Sequence, residues 1–430
     1  MTAENYYRAT ATAYGGFPAP TGKRSARVAI VGGGFAGLNT ALGLAERGVG
    51  DVVLLERERI GFGASGRNGG FVFAGYSLGE DALRRRLGNE RAKALFLCTV
   101  GAVELIRKRV AHLRIPCALV DEGVIWANWF RDARILRHRQ KLLAEQFGVT
   151  WEWIPTETLR GILRSERYAD GLWERNALHL HPLNYAIGIA QAAAAKGVAI
   201  HEHAAVTRIE RAGAGWRIST RDAEIEAEHV VLACGGYLAG LNRRVDRAVL
   251  PIATYVMVTE PLVSRLRECV NTRAAVYDTR FAFDYYRPLP DSRLLWGGRI
   301  SVRDRAPAAV RELLCRDLLR VYPQLEGVHI EHSWSGLMSY ARHQMPQIGR
   351  IEPGLWCAQA FGGHGIAPTT VAGELIAAAI ARDDEAWRHF ASFGFESAHR
   401  PFGFAAAQAS YWWLQFLDAW RAWREPSHAA

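Results

Sequence analysis

The segment ARVAIVGGGFAGLNTALGLAERG, residues 26–48, narrows the choice of fold more than any other part of the chain. Val28, Ile30 and Val31 sit in a short continuous apolar run, the pattern of a strand buried on both faces. Gly32, Gly34 and Gly37 follow at the spacing G-x-G-x-x-G, with Phe35 and Ala36 between the last two. Leu38, Ala41, Leu42 and Ala45 then recur at i, i+3, i+4 and i+7, a helix closed by Gly48. Strand, glycine turn and helix in this order read as a dinucleotide-binding unit. Gly34 lets the backbone approach a pyrophosphate, Gly37 lets helix pack on strand, and the free N–H groups and dipole of the helix start favour negative charge. A second apolar strand, 52–55, ends at Glu56, nineteen residues after Gly37, where an acid accepts hydrogen bonds from a ribose.

Just beyond it, GFGASGRNGG, residues 61–70, has glycine at five of ten positions. Glycine weakens ordinary elements, so the cluster indicates unusual backbone angles or a group pressed against the main chain. Ser65, Arg67 and Asn68 within it supply hydroxyl, guanidinium and amide groups suited to an anion, which a flexible linker would not need. Two later segments favour a flavin over a nicotinamide. Residues 198–237 carry short alternating pieces around AGAG and RDAE, then the buried run HVVLAC before Gly235 and Gly236. LWCAQAFGGHGIAPTTVAGELIAAAI, residues 355–380, repeats strand, turn and helix, with Gly362, Gly363 and Gly365 at the turn. A second helix start is thereby aimed at an electron-rich group, such as the N1 and C2 carbonyl of a reduced flavin.

VAIVGGGFAG, GASGRNGG, HLHPLNYAIG, VVLACGGY, FDYYRPLPDSRLLWGG, WSGLMSYARHQMPQIGR and FGGHG together resemble the FAD-dependent D-amino-acid-oxidase and sarcosine-oxidase superfamily. The resemblance spans nearly the whole chain, and the gamma-glutamylputrescine oxidases are nearest within it. It implies FAD, bound non-covalently because no cysteine sits in GGHGIAP; Cys357, on the preceding strand, reads as core. It implies FAD contacts from Gly32, Gly34, Phe35, Ala36, Gly37 and Glu56, with Arg57 beside the ribose. Along the pyrophosphate and under the ring it implies Gly63, Ala64, Ser65, Arg67, Asn68 and Gly69. Later contacts would come from Val206, Ala233 and Gly235, and from Gly362, Gly363, His364, Gly365 and Ile366.

The fold expected is α/β: a discontinuous Rossmann-like FAD-binding domain with a second, substrate-binding domain built on a mixed β-sheet. FAD-binding elements recur near the start, middle and end, so that domain takes residues 1–94, 171–249 and 334–390. The substrate-binding domain takes 95–170 and 250–333, and an aromatic helical tail takes 391–430. The chain has 430 residues, 49% of them hydrophobic, enough for such cores. No apolar run approaches the ~18 residues of a membrane-spanning helix. The N-terminal stretch lacks the charged start and apolar core of a signal peptide. Six cysteines without close pairs suit a reducing compartment, so a cytoplasmic enzyme is expected. The net charge is +10, but its densest patch, RDARILRHRQK at 131–141, alternates with apolar residues and reads as the solvated face of a helix. No nucleic-acid partner and no metal site are expected.

A flavin whose N5 faces a pocket takes a hydride from the carbon beside an amine nitrogen. The imine then hydrolyses in water, and the reduced flavin passes electrons to O2. The protein need only orient the C–H bond and favour the neutral amine. In DYYR, Tyr285 and Arg287 share one strand face and Tyr286 takes the other. Either tyrosine could wall an alkylamine while Arg287 binds a carboxylate, or both pack in the sheet and Arg287 pairs with Asp291. Trp296 on the next strand and Phe361 before the last turn are further substrate candidates. His364, beside the ring, reads as electrostatic support for the flavin ahead of a base; His343 also invites a role, whereas His179 and His181 before Pro182 read as a helix start.

Two departures from the resembled family bear on substrate. Glycine oxidases carry a carboxylate-binding arginine where this chain has Met338, with Arg342 four residues on. Sarcosine oxidases carry an oxygen-assisting lysine where it has Leu295. The first weakens an α-amino acid and leaves an amine, or a longer substrate with a remote carboxylate. A second reading is a dehydrogenase serving a quinone or protein acceptor, with the stripe Trp413, Phe416, Leu417 and Trp420 resting on a membrane. Such a stripe more often packs on its own protein. A third is a non-catalytic flavin or nucleic-acid-binding protein.

Overall fold

In the computed structural model, which describes residues 5–425, the chain forms two eight-stranded sheets. Strand Gly22–Val31 lies near the middle of the first, paired in parallel with Val52–Leu55 on one side and Ala223–Leu232 on the other. Ala199–His201 and Leu355–Gln359 extend these flanks, also in parallel. The early, middle and late dinucleotide-type segments therefore share one sheet, because each supplies a strand apolar on both faces. The pieces around AGAG and RDAE form an antiparallel excursion, Arg208–Ala212 and Gly215–Ser219, on Ala223–Leu232.

Helices Phe35–Glu46 and Ile366–Arg382 each follow a parallel strand and lie against one another. At Gly373 the contact is so close that a Cβ would come within 2.5 Å of Asn39 Cβ. Arg109, from helix Asn89–His112 and only 4% exposed, fastens the pair. Its Nη1 donates to Asn39 (2.9 Å), and its Nη2 to Glu46 (2.7 Å) and Glu374 (2.6 Å). A buried guanidinium is tolerated there because two carboxylates meet it.

The second sheet runs in the order Ile330–Tyr340, Leu250–Thr259, Leu294–Ser301, Tyr285–Pro288, Ala275–Asp278, Val124–Ala127, Gly171–Glu174 and Glu152–Ile154. It is mixed, since Ala275–Asp278 and Val124–Ala127 pair in parallel and their neighbours antiparallel. Helix Pro307–Val321 closes one face through Val310, Leu314 and Leu318, and the other face looks toward the helix starts of the first sheet. Three boundaries expected from sequence move. Strands Gly171–Glu174 and Ile330–Tyr340 join the second sheet, although the divisions at 171 and 334 assign all of the former and most of the latter to the first. Helix Asn89–His112 straddles the division at 95 yet belongs with the first sheet through Arg109. Alternation marks a strand but not the sheet it joins.

The C-terminal helix Phe402–Arg424 lies across the second sheet, where Gln408 accepts from Val302 N–H (3.2 Å) and Asp418 from Phe281 N–H (2.8 Å). Its inner side is small or polar: Ala406, Ala407, Ser410 and Tyr411. Trp413, Phe416 and Trp420 instead point outward at 60%, 57% and 47% exposure, beside a half-buried Leu417. This overturns the expectation that the stripe packs on its own protein. Among the described residues no helix is long and apolar enough to cross a membrane.

Candidate active site

Both glycine-led helix starts open onto the same cavity, of about 1980 Å³, between the two sheets. At Gly32 φ is +115° and a Cβ would come within 2.5 Å of the Ala233 carbonyl, so only glycine leaves the turn intact. The Phe35 N–H donates to Ser65 Oγ (2.9 Å), which stitches the glycine-rich loop to the helix start. Glu56 Oε2 accepts from Gly33 N–H (2.6 Å) and its Oε1 from Glu58 N–H (2.9 Å). Burial raises the Glu56 pKa, and these N–H groups oppose the rise. Arg57 lies 5.9 Å from the Tyr237 ring, and Val206, Ala233 and Gly235 line the same end. Bare backbone, free helix N–H groups and a fixed carboxylate are what a pyrophosphate and its ribose require.

The polar side chains of the loop are largely turned on the loop itself. Asn68 Nδ2 donates to the Ala64 (2.9 Å) and Ser65 (3.0 Å) carbonyls, and its Oδ1 accepts from Gly70 N–H (2.7 Å). Arg67 Nε donates to the Phe62 carbonyl (2.9 Å). Both residues border the cavity, but the bonds they make set the loop's shape.

Beyond the loop the wall becomes aromatic. The Tyr285 ring lies across Gly69 and Gly297, where a Cβ would come within 2.6 Å and 2.1 Å of it, and meets Phe71 edge-on at 5.5 Å. Phe73 stacks on Tyr277 (5.7 Å, 7°) and meets the His364 ring edge-on (4.7 Å, 84°). Trp126, Met338, Tyr340 and Phe361 continue this wall. Burial, then the Arg139 guanidinium, lowers the His364 pKa to about 4 against the opposing pull of Glu80, so the imidazole is neutral at pH 7. Arg139, on helix Arg134–Leu142, pairs with Glu80 at the start of helix Glu80–Leu87 (2.8 Å). Burial alone would raise the Glu80 pKa, but Arg139 outweighs it and holds the carboxyl below its usual range.

Residues 27–379 match the family described as DAO, FAD dependent oxidoreductase. The chain belongs to this family. A gamma-glutamylputrescine oxidoreductase of Escherichia coli (strain K12) is 34% identical over 400 residues, 93% of this chain and 92% of that protein. A probable oxidoreductase OrdL of Haemophilus influenzae (strain ATCC 51907 / DSM 11121 / KW20 / Rd) is 32% identical over 414 residues, 94% and 95% of the two chains. The crystal structure of glycine oxidase from Geobacillus kaustophilus superposes with a TM-score of 0.71 at 23% identity, covering 86% of this chain and 98% of that one, and shows a shared fold. The protein is an FAD-dependent oxidoreductase, and the cradle described above fits its cofactor.

Every FAD contact expected from sequence borders the cavity except Gly37, which lies behind the turn with a Cβ position 2.0 Å from the Gly32 carbonyl. Its part is the helix packing that the G-x-G-x-x-G spacing requires. Among the substrate candidates, Tyr285, Phe361, His364 and the exposed Arg342 border the cavity. Four others do not. Arg287 is 2% exposed; its Nε donates to the Gly69 carbonyl (2.7 Å), and its Nη2 to Leu180 O (2.9 Å) and Tyr7 Oη (3.2 Å). It neither faces the cavity nor pairs with Asp291, which binds Arg293 (2.9 Å); it clamps the FAD loop to the second sheet. Tyr286 points to the opposite face, stacked on Trp296 (4.5 Å, 2°) and hydrogen-bonded to Tyr322 Oη (2.9 Å) beneath helix Pro307–Val321. His343 accepts from Met345 N–H (3.2 Å) and packs on Phe393 (5.4 Å) away from the cavity.

His181 caps helix Pro182–Ala195, accepting from Asn184 N–H (3.1 Å), and Cys357 is wholly buried, as their contexts predict. Sequence reasoning missed Phe73, Glu80, Trp126, Arg139, Tyr277 and Tyr340. The alternation of Phe71 and Phe73 after the glycine loop was a usable signal for the first. Arg139 sits in the patch read as solvated. Within that helix Arg134 is 90% exposed, but Arg139 turns inward beside buried Leu136 and Leu142. The remaining four carry no local mark of the cavity they border.

Proposed function

We propose that this enzyme oxidises the C–N bond of a primary or secondary amine, gamma-glutamylputrescine or a related amine, and returns the electrons to O2 with release of H2O2. Bound FAD supplies a two-electron acceptor for hydride from the carbon beside the amine nitrogen. Gly32, Gly34, Ser65 and Glu56 would hold its pyrophosphate and ribose, and the residues from Gly362 to Ile366 would face its ring. The observation that carries the amine reading is the aromatic and thioether lining beside that turn, next to which the Arg139–Glu80 ion pair carries no net charge. Met338 borders the cavity where a cation would be needed to fix an α-carboxylate, and His364 is neutral. Neither repels an ammonium. Tyr285, Phe73, Tyr277 and Phe361 offer ring faces and edges to an alkyl chain, which keeps water from the carbon that reacts.

The low pKa of His364 makes it a poor proton acceptor at neutral pH, which supports an electrostatic part ahead of a base. Pockets for a drug-sized ligand measure roughly 300–1,000 Å³, and the cavity, at about 1980 Å³, has room for a long substrate beside the dinucleotide. None of the six cysteines is paired, which supports a cytosolic location. The test is the visible spectrum of the holoprotein under nitrogen, before and after gamma-glutamylputrescine, with air then readmitted. Bleaching reversed by air is expected. Bleaching that air leaves unreversed would move the acceptor to a quinone or protein, and no bleaching across an amine series would refute the proposal.

A further inference from the structure

The apolar wall ends at the Glu80–Arg139 ion pair. From His364 the lining runs through Phe73 (4.7 Å) to Tyr277 (5.7 Å) and on to Trp126 (6.2 Å), a row of rings along which several methylenes could lie. At its far end Arg139 rests on the rings of Trp126 (4.6 Å) and Trp151 (4.7 Å) and meets Glu80 at 2.8 Å. Both charged side chains are largely covered, at 11% and 19% exposure, and both border the cavity. Glu80 takes one Nη2 donor of Arg139, and the Nε is covered within the wall. A guanidinium carries five donors, so this wall has hydrogen-bonding capacity left over.

The pair has no net charge but a strong local dipole. A second ammonium would meet Arg139, and a second carboxylate alone would meet Glu80. A head bearing both charges satisfies both ends. Resting on the amine-oxidation reading, we propose that Glu80 and Arg139 form the subsite for the far end of the substrate. They take an α-amino acid head, with its ammonium on Glu80 and its carboxylate on Arg139. The preferred substrate is then an alkylamine whose other end is zwitterionic, with the oxidised amine at the glycine turn and the head one row of rings away.

The test is a titration of the holoprotein with γ-glutamyl-n-butylamide, which has the zwitterionic head and no terminal amine to oxidise. N-butylbutanamide, the same skeleton without head charges, is the comparison. Wild type is expected to bind the charged amide about tenfold tighter or more, in the range of charge-assisted hydrogen bonds. The variant Glu80→Gln/Arg139→Gln, which removes the two opposite charges together, should bind both amides alike, with affinity for N-butylbutanamide kept within about threefold. Equal binding by wild type would overturn the subsite. So would a proportional loss of both ligands in the variant, the mark of a bridge that only ties the two helices together. Failure of the oxidase reading is separate, since it is a flavin left unbleached by gamma-glutamylputrescine whatever the binding ratio.

Discussion

Replacing Arg287 with methionine separates a clamp from a substrate contact. The guanidinium is 2% exposed and donates to the Gly69 and Leu180 carbonyls, with Tyr7 Oη and His179 Nδ1 also within reach. Methionine fills a similar volume but leaves both carbonyls buried without donors, about 1–3 kcal/mol each, so a stability loss of about 2–6 kcal/mol is expected. His179, whose pKa burial and then Arg287 lower to about 3, is neutral at pH 7 in both the folded and the unfolded chain, so removing the cation returns stability only below the ordinary histidine pKa. Gly69 belongs to the FAD loop, so the loss falls on cofactor retention as well as on unfolding. Thermal unfolding followed by flavin fluorescence, with FAD content after gel filtration, measures both. An Arg287→Lys variant, able to replace only part of the fork, should fall between. An Arg287→Met protein with wild-type melting and FAD content, and only a raised KM for carboxylate-bearing substrates, would refute this reasoning.

Tyr286→Phe should cost about 1 kcal/mol of stability through the lost bond with Tyr322 and leave kcat/KM unchanged, since Tyr286 sits on the far face of the sheet. Glu174 is buried with Oε2 unpartnered, and burial raises its pKa to about 7. The stability it contributes is therefore complete below the ordinary glutamate pKa and lost as pH rises through about 7. Glu174→Gln should remove that loss, by up to about 3 kcal/mol, so denaturant midpoints of the two proteins should diverge between pH 5 and 8. Met338→Arg puts a cation on the cavity wall and should shift the kcat/KM ratio toward α-amino acids by about tenfold or more, read from stopped-flow flavin reduction. Gly373→Ala drives a Cβ to 2.5 Å from Asn39 and should destabilise by about 1–3 kcal/mol, lowering FAD content because the two helices serve the cofactor.

How much was legible depends on how local the cause is. The glycine spacing, the apolar strand before it and the acid after the second strand are constraints met within a few residues of each other. They therefore marked the cofactor cradle before any fold was known. The late repeat at Gly362, Gly363 and Gly365 carried the same signature, and both helix starts do open on one cavity. Alternation in DYYR correctly divided Tyr285 from Tyr286. It could not say that the next residue on Tyr285's face, Arg287, reaches past the strand to the Gly69 carbonyl of a loop more than two hundred residues earlier.

The sequence by itself determined the strand–turn–helix units and the dinucleotide cradle they form, because both follow from backbone sterics and short-range periodicity. The tertiary structure alone decided which charged side chains face the cavity. Arg139 and Glu80 are brought together by the packing of two helices against the sheet, while Arg287, Tyr286, Trp296 and His343 are drawn into the interior. A charged or aromatic residue has the same identity in a wall, a clamp or a core. Only the partners that assemble around it, most of them distant in the chain, decide whether its free energy is gained from substrate or from the protein's own backbone.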